Sequence, residues 1–191
     1  MILTEETFHA IYEVRRLNKK EIVKSFDCGD ADLNDFILSE SLFYRKTLLA
    51  VSYVVEEKLD SHPVSAYFSL ANDKISLNDF ESKTEFNRFR KHRFVNEKRL
   101  KSYPAVKICR LGVDKRTKGV HMGSFLLDFI KSYFIIDNKT GCRFLTVDAY
   151  ADAIPFYQKN GFIPLNEEDA DAATRLLYFD LATIADDDLD F

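Results

Sequence analysis

One stretch constrains the fold more than any other: "AVKICRLGVDKRTKGVHMGSFLLDFIKSYFI", in which a β-rich run passes through a basic, glycine-marked turn into a strongly apolar helix pattern. A strand feeding a helix of this kind needs a sheet for the helix to pack on, so the chain is α/β in character. Within the strand, Val106 and Ile108 share one face while Leu111 and Val113 share the other phase. The apolar register slips by one residue beside Gly112, which predicts a β-bulge and backbone groups left open to a ligand. At the helix start, backbone N–H groups and the helix dipole favour an anion. Gly119 and Gly123 allow close approach of the backbone, and Lys115, Arg116 and Lys118 add positive charge. The turn reads as a pyrophosphate cradle. It is neither a Walker loop nor a dinucleotide fingerprint, since GxxxxGK[ST] and GxGxxG are both absent.

The rest of the chain supplies the sheet. "FHAIYEVRRL" reads as a first strand, and "FDCGDADLNDFILSESLFYRK" as a turn, an Asp N-cap and a helix with Leu33, Phe36, Ile37, Phe43 and Tyr44 at helical spacing. "LLAVSYVVEE" and "VSAYFSL" form a hairpin around "KLDSHP". Residues 76–101 are polar and basic, with Phe80, Phe86, Phe89 and Phe94 scattered through them, and read as an insertion containing a helix. "RFLTVDA" is a further strand. "ADAIPFYQKN" is a short helix with Pro155 in its first turn and Gly161 at its C′ position. "FIPL" and "LLYFDL" close the sheet, and an acidic tail occupies about 182–191. The order β α β β (α) β α β α β β fits one domain over 1–191.

Several function classes drop out. There is no apolar run long enough to span a membrane and no signal-peptide pattern in "MILTEETF". Cys28, Cys109 and Cys142 are odd in number and far apart, which predicts reduced thiols and a cytoplasmic protein. His9, His62 and His92 lack metal-ligand spacing, no Ser-His-Asp set is recognisable, and no metal is expected. The net charge of −4 conceals an asymmetry: Lys83 to Lys118 holds 13 basic residues against three acidic ones, while Asn166 to Phe191 holds nine acidic residues against Arg175. Either one surface is strongly basic, or the two regions neutralise each other.

Three matches, covering about Val106 to Leu165, make the chain resemble the GNAT N-acetyltransferases. "RLGV" is similar to the strand that pairs with the pantetheine arm of acetyl-CoA. Lys118-Gly119-Val120-His121-Met122-Gly123 is similar to the family's Q/R-x-x-G-x-G/A pyrophosphate loop, and Phe156-Tyr157 with Gly161-Phe162 to its closing FYxxxGF. The resemblance implies a GNAT fold: a central mixed, mostly antiparallel twisted sheet with a bulged fourth strand and flanking helices. It implies acetyl-CoA contacts from Leu111, Gly112, Val113, Lys118, Gly119, Val120, His121, Met122, Gly123 and Ser124. It also implies a catalytic role for Tyr157, whose protonated phenol can donate to the departing thiolate. The sequence departs from the pattern at His121, where the loop usually has Gly, at Lys118, which replaces Gln or Arg, and at Tyr150, where many members have Asn. A Cβ at position 121 restricts the backbone.

"SFDCGDADLNDFI" and "YPAVKICRLGVDKR" further resemble the GNAT toxins of bacterial toxin–antitoxin pairs. That likeness implies acetylation of the α-amino group of aminoacyl-tRNA, arrest of translation, and a ribbon-helix-helix antitoxin as partner. An α-amino group of pKa ~8, lowered further by esterification of its carboxyl, does not need a strong general base, and the sequence shows none. Arg88, Arg90, Lys91, Arg93, Lys98, Arg99 and Lys101 are the expected phosphate contacts, with Phe89 or Phe94 stacking on bases. A small-molecule amine, a protein amine, and a GNAT-like interaction module without catalysis are the alternatives, and a homodimer is compatible with each.

Overall fold

The computed structural model describes residues 5–58, 64–94, 100–117, 119–136, 138, 140–167, 169–170 and 172–185. The chain opens on a helix, α1 (Glu5–Ile11), and β1 spans Tyr12–Arg16. This corrects the expected strand over "FHAIYEVRRL": Phe8 is fully buried and stacks on Phe125, with ring centroids 3.6 Å apart and 19° between planes. Tertiary packing of one aromatic outweighs the β-rich composition there. Next comes α2 (Ala31–Asp35), where Asp30 caps the helix by accepting from Leu33 N–H at 3.0 Å. A π turn, Phe36–Glu40, carries it into α3 (Ser41–Lys46) and turns Phe36 and Ile37 inward. Strands β2 (Val51–Glu57) and β3 (Ala66–Ser76) follow. The insertion contains α4 (Lys83–Lys91), capped by Ser82 accepting from Glu85 N–H. Then come β4 (Ser102–Val113), α5 (Met122–Ile136), β5 (Phe144–Tyr150), α6 (Ile154–Lys159), β6 (Ile163–Pro164), β7 (Thr174–Asp180) and α7 (Ala182–Ala185). The rest of the acidic tail, 186–191, lies outside the described residues.

The strands form one seven-stranded sheet in the order β1-β2-β3-β4-β5-β7-β6. β1–β2, β2–β3, β5–β7 and β6–β7 pair antiparallel, and β4–β5 pairs parallel over Ala105–Lys107 against Phe144–Thr146. This is the mixed α/β sheet with flanking helices expected of the chain. The chain divides into two compact units, Met1–Ala71 with Ile108–Ile130 and Asn72–Lys107 with Lys131–Phe191, and both β3 and β4 contribute to each. The core of the first unit gathers Leu17, Phe26, Phe36, Ile37, Val54 and Tyr67. That of the second gathers Ile75, Phe86, Phe89, Tyr103, Phe144 and Tyr178, with Phe80 and Phe94 packed against them. The phenylalanines of the polar insertion are therefore core residues. No helix among the described residues is long and apolar enough to cross a membrane.

Candidate active site

Gly112 lies near the end of β4, packed closely against two aromatic rings. A Cβ built on it would stand 2.7 Å from the Tyr67 ring and 3.1 Å from Phe26, so only a residue without a side chain fits. Tyr67 is fixed in turn by donating its hydroxyl to Leu33 O at 2.7 Å and by an edge contact with Phe26. Along the end of β4, Gly112 is buried in phase with Val106 and Ile108, while Leu111 and Val113 stay half-buried. Just before them, Arg110 stacks over Phe36 at 5.3 Å and pairs with Asp32 at 3.3 Å.

The basic turn that follows is held by carboxylates. Asp114, 2 % exposed, accepts from Asp27 N–H at 3.1 Å and from Arg116 N–H, Nε and Nη2 at 3.0, 2.7 and 2.9 Å. The Arg116 guanidinium holds the Asp114 carboxyl down at a pKa of about 2, against the opposing effect of burial. Lys115 Nζ lies 3.0 Å from Asp27 Oδ2, and Thr117 Oγ1 donates to Ser65 O at 3.0 Å. Lys115 and Arg116 were expected to add positive charge to a phosphate cradle. Ion pairing offsets that charge and uses it to set the path of the turn.

Lys118 lies outside the described residues. Beyond it the backbone is left-handed twice, at Gly119 (φ 91°) and at His121 (φ 59°). Glycine meets this requirement freely, and His is among the few other residues that adopt it with any frequency. No heavy atom lies within 4 Å of where a Gly119 Cβ would stand. The first helical bond of α5 runs from Phe125 N–H to His121 O at 3.1 Å. The N–H groups of Gly123 and Ser124 therefore precede the intrahelical ladder and have no helical partner on the described residues four back, Gly119 and Val120. His121 is exposed, and Val120, Gly123 and Ser124 are half-buried. Met122 is 1 % exposed, so its side chain belongs to the core and only its backbone faces the turn.

Tyr157 is positioned by the cap of α6. Phe162 N–H donates to Tyr157 O and Gly161 N–H to Gln158 O, each at 3.0 Å, around a left-handed Gly161 (φ 85°). This double-bonded C-terminal cap brings the Phe162 ring to 5.5 Å from that of Tyr157. The FYxxxGF spacing is thus the spacing of a cap: tyrosine three residues inside the helix end, glycine just past it, phenylalanine covering both. Tyr157 is 7 % exposed, and burial pushes its phenol up to about 12, above the match to a thiolate that its ordinary pKa suggested. Cys28 and Cys142 are buried, and burial pushes both thiols up, as for structural cysteines. Cys109 is half-buried. No group of three or more metal-ligating side chains is found among the described residues.

The expected nucleic-acid residues separate into two sets. Arg93 lies over Phe89 at 4.3 Å and pairs with Asp180 at 3.5 Å, and its Nη2 donates to the Tyr178 hydroxyl at 2.5 Å. Phe89 is buried, and Phe94 is stacked on Tyr103 at 4.0 Å. Phe89 is thus a packing residue rather than the base-stacking one expected, Phe94 has one face on Tyr103, and Arg93 is half-buried and already paired. Arg88, Lys91 and Lys101 are exposed and Arg90 is half-buried, while Lys98 and Arg99 lie outside the described residues. Sequence reasoning missed a polar cluster on the second unit's strands: Asp73 accepts from Thr146 Oγ1 at 2.5 Å, and Lys107 pairs with Asp148. The period-2 relation of Asp73 to buried Ile75 is the signal that could have shown it.

A family model described as an acetyltransferase (GNAT) domain matches residues 86–180. No curated protein matches the chain by sequence. Among solved structures, AtaT complexed with acetyl-methionyl-tRNAfMet superposes with a TM-score of 0.71 at 21 % identity, over 91 % of this chain and 96 % of that one. A Tyr-to-Phe mutant of KacT gives a TM-score of 0.73 at 20 % identity, over 92 % and 98 %. The AtaT–AtaR complex bound to DNA gives 0.64 at 22 %, over 90 % and 96 %. At this level of identity the likeness is one of fold.

Proposed function

The chain belongs to the GNAT acetyltransferases, and from that premise we propose that it moves an acetyl group from acetyl-CoA to the α-amino group of aminoacyl-tRNA, acting as a translation-blocking toxin. The observation that carries the donor half is the turn from Gly119 to Ser124: two left-handed residues, then the N–H groups of Gly123 and Ser124 ahead of the first described helical bond. Such a turn binds a pyrophosphate through backbone donors and the helix dipole. Leu111, Gly112 and Val113 offer strand edges to the pantetheine arm, and the aromatic packing around Gly112 fixes their path. The acceptor half is supported by the fold shared with AtaT, which is solved with acetyl-methionyl-tRNAfMet and, as a mutant, with the antitoxin AtaR and acetyl-CoA. A small ribbon-helix-helix antitoxin is the matching partner.

In the transfer, the neutral amine attacks the thioester carbonyl carbon. The C–N bond forms, the C–S bond breaks, and the ammonium proton of the product passes to solvent. Tyr157 donates to sulfur as charge builds there and regains a proton from solvent. Its raised pKa keeps it protonated throughout the range in which the amine is neutral, while making full transfer to a thiolate uphill. A small-molecule or protein amine is the second reading, and one observation favours it: Phe89 and Phe94 pack with the core of the second unit and Arg93 already pairs with Asp180, which leaves fewer groups for RNA.

The test pairs two measurements on the full chain. Calorimetric titration with acetyl-CoA should give micromolar binding to wild type and none to Gly123→Glu, which sets a carboxylate in the phosphate turn. Incubation with acetyl-CoA and charged tRNA should yield N-acetyl-aminoacyl-tRNA by mass spectrometry. Donor binding without tRNA acetylation would move the acceptor to a small or protein amine; no donor binding by wild type would sink the enzymatic reading.

A further inference from the structure

The second unit contains a cavity of 720 Å³ whose charged lining residues are Lys74, Lys83, Arg90 and Lys101, with no carboxylate among the described residues that line it. Three of the four belong to the basic stretch Lys83–Lys118, and Lys74 joins them from outside it, so the fold adds to the charge that the sequence clusters. The four cations come from three segments: β3, the two ends of α4, and the residue before β4. The two acids nearest in sequence to the β3 segment are occupied elsewhere. Asp73 accepts from Thr146, and Asp79 accepts from Ser76 N–H at 2.6 Å and Ser76 Oγ at 3.0 Å. Arg90 is oriented rather than loose. Its Nε and Nη2 donate to Asn87 Oδ1 at 3.0 and 2.6 Å, its Nη1 to Leu100 O at 3.1 Å, and its guanidinium lies 5.1 Å from the Phe86 ring centroid. The three lysines are exposed around it.

We propose that this cavity is a docking groove for the phosphate backbone of RNA, with Lys74, Lys83, Arg90 and Lys101 as the contacts. Identifying that RNA as the tRNA acceptor rests on the functional reading above; the groove itself does not. Exposed lysines on long stems act as point charges in water, which suits a repeating polyanion that several weak contacts hold at once. A small, tightly held anion would instead call for a buried guanidinium fork with bidentate geometry. Phe86, the aromatic residue of the lining, is buried and offers no ring face for a base. The groove therefore positions RNA without reading its sequence. It also redraws the expected interface: Lys74 and Lys83 enter, while Arg93, paired with Asp180, lies outside the groove.

Fluorescence anisotropy with deacylated tRNA, which has no amine to acetylate, tests the groove apart from the chemistry. The full chain is compared with a Lys74→Glu/Lys83→Glu double variant and with Lys101→Gln. At about 100 mM salt the double variant should lose about tenfold or more in affinity. Its log–log salt slope should become shallower by about 1 per contact removed, and Lys101→Gln should follow with about one such step. Melting temperature and acetyl-CoA binding should be unchanged in both, since all three side chains are exposed and outside the phosphate turn. Equal affinity and equal slope in the variants would overturn the groove. Tripolyphosphate binding wild type as tightly as tRNA, and lost in the double variant, would overturn the RNA assignment in favour of a small-anion site. If the groove binds tRNA but charged tRNA is never acetylated, the acceptor reading fails and the groove stands.

Discussion

Asp114 shows how one side chain can set the route into a binding turn. Its carboxylate is nearly inaccessible, accepts four hydrogen bonds and ties β4 to the Asp27 segment. Its pKa is lowered from 3.8 to about 2, so its stabilisation is fully present above the unfolded-state value and is lost as pH falls from about 4 towards 2. The shift corresponds to about 2 kcal/mol. Asp114→Asn should therefore lower unfolding free energy by about that amount at pH 7 in urea titrations, and its deficit against wild type should close below about pH 2. A pH-independent gap would mean that the loss is one of packing. Tyr157 is displaced the other way. Tyr157→Phe should reduce kcat by about 10²–10⁴ with little change in KM for the amine, the range for a lost proton donor. With the phenol raised to about 12, wild-type kcat should show no alkaline fall from Tyr157 near pH 10. A falling limb near pH 10, absent from the Phe variant, would show an ordinary phenol at work.

At the scale of elements, α6 was legible because its determinants are local. Pro155 in the first turn, Gly161 past the end and Phe162 against Tyr157 all lie within one short run of sequence. Gly161→Ala tests that cap. It forces a Cβ into the left-handed region, at about 1–2 kcal/mol, and sets that atom 3.0 Å from the Phe179 ring. Its melting temperature should fall, and kcat should fall further than KM rises, because the cap carries the carbonyl of Tyr157 itself. Unchanged kcat in a destabilised variant would separate the cap from catalysis. The elements that could not be read depend on distant partners. α1 is short, and its closest ring contact is with Phe125 on α5, far along the sequence. The insertion's aromatics looked scattered because Phe89 finds Phe144 and Tyr178 only after folding. In the site, the Gly119 turn was visible as glycine punctuation. The neutralisation of Lys115 was not, since Asp27 lies 88 residues away, whereas the Asp114–Arg116 pair two residues apart could have been read.

At the scale of the molecule, the region that matches the family model begins inside α4 and ends on the last residue of β7. It omits β1, β2 and β3, which extend the sheet beyond β4. Without β3, β4 becomes an edge with unpaired backbone groups, an open template for association. The omitted half also supplies Tyr67 and Phe26 over Gly112, Ser65 and Asp27 around the Asp114 turn, and Ile75 in the second unit's core. A protein fragment of residues 86–180 thus keeps the phosphate turn and Tyr157 in sequence while losing what shapes them. It should be insoluble or show no cooperative thermal transition by circular dichroism, and it should not bind acetyl-CoA at concentrations that saturate the full chain. A fragment that melts cooperatively and binds acetyl-CoA would show that β4, the turn and α5 form the site unaided, and that the packing around Gly112 stabilises the fold without shaping the site.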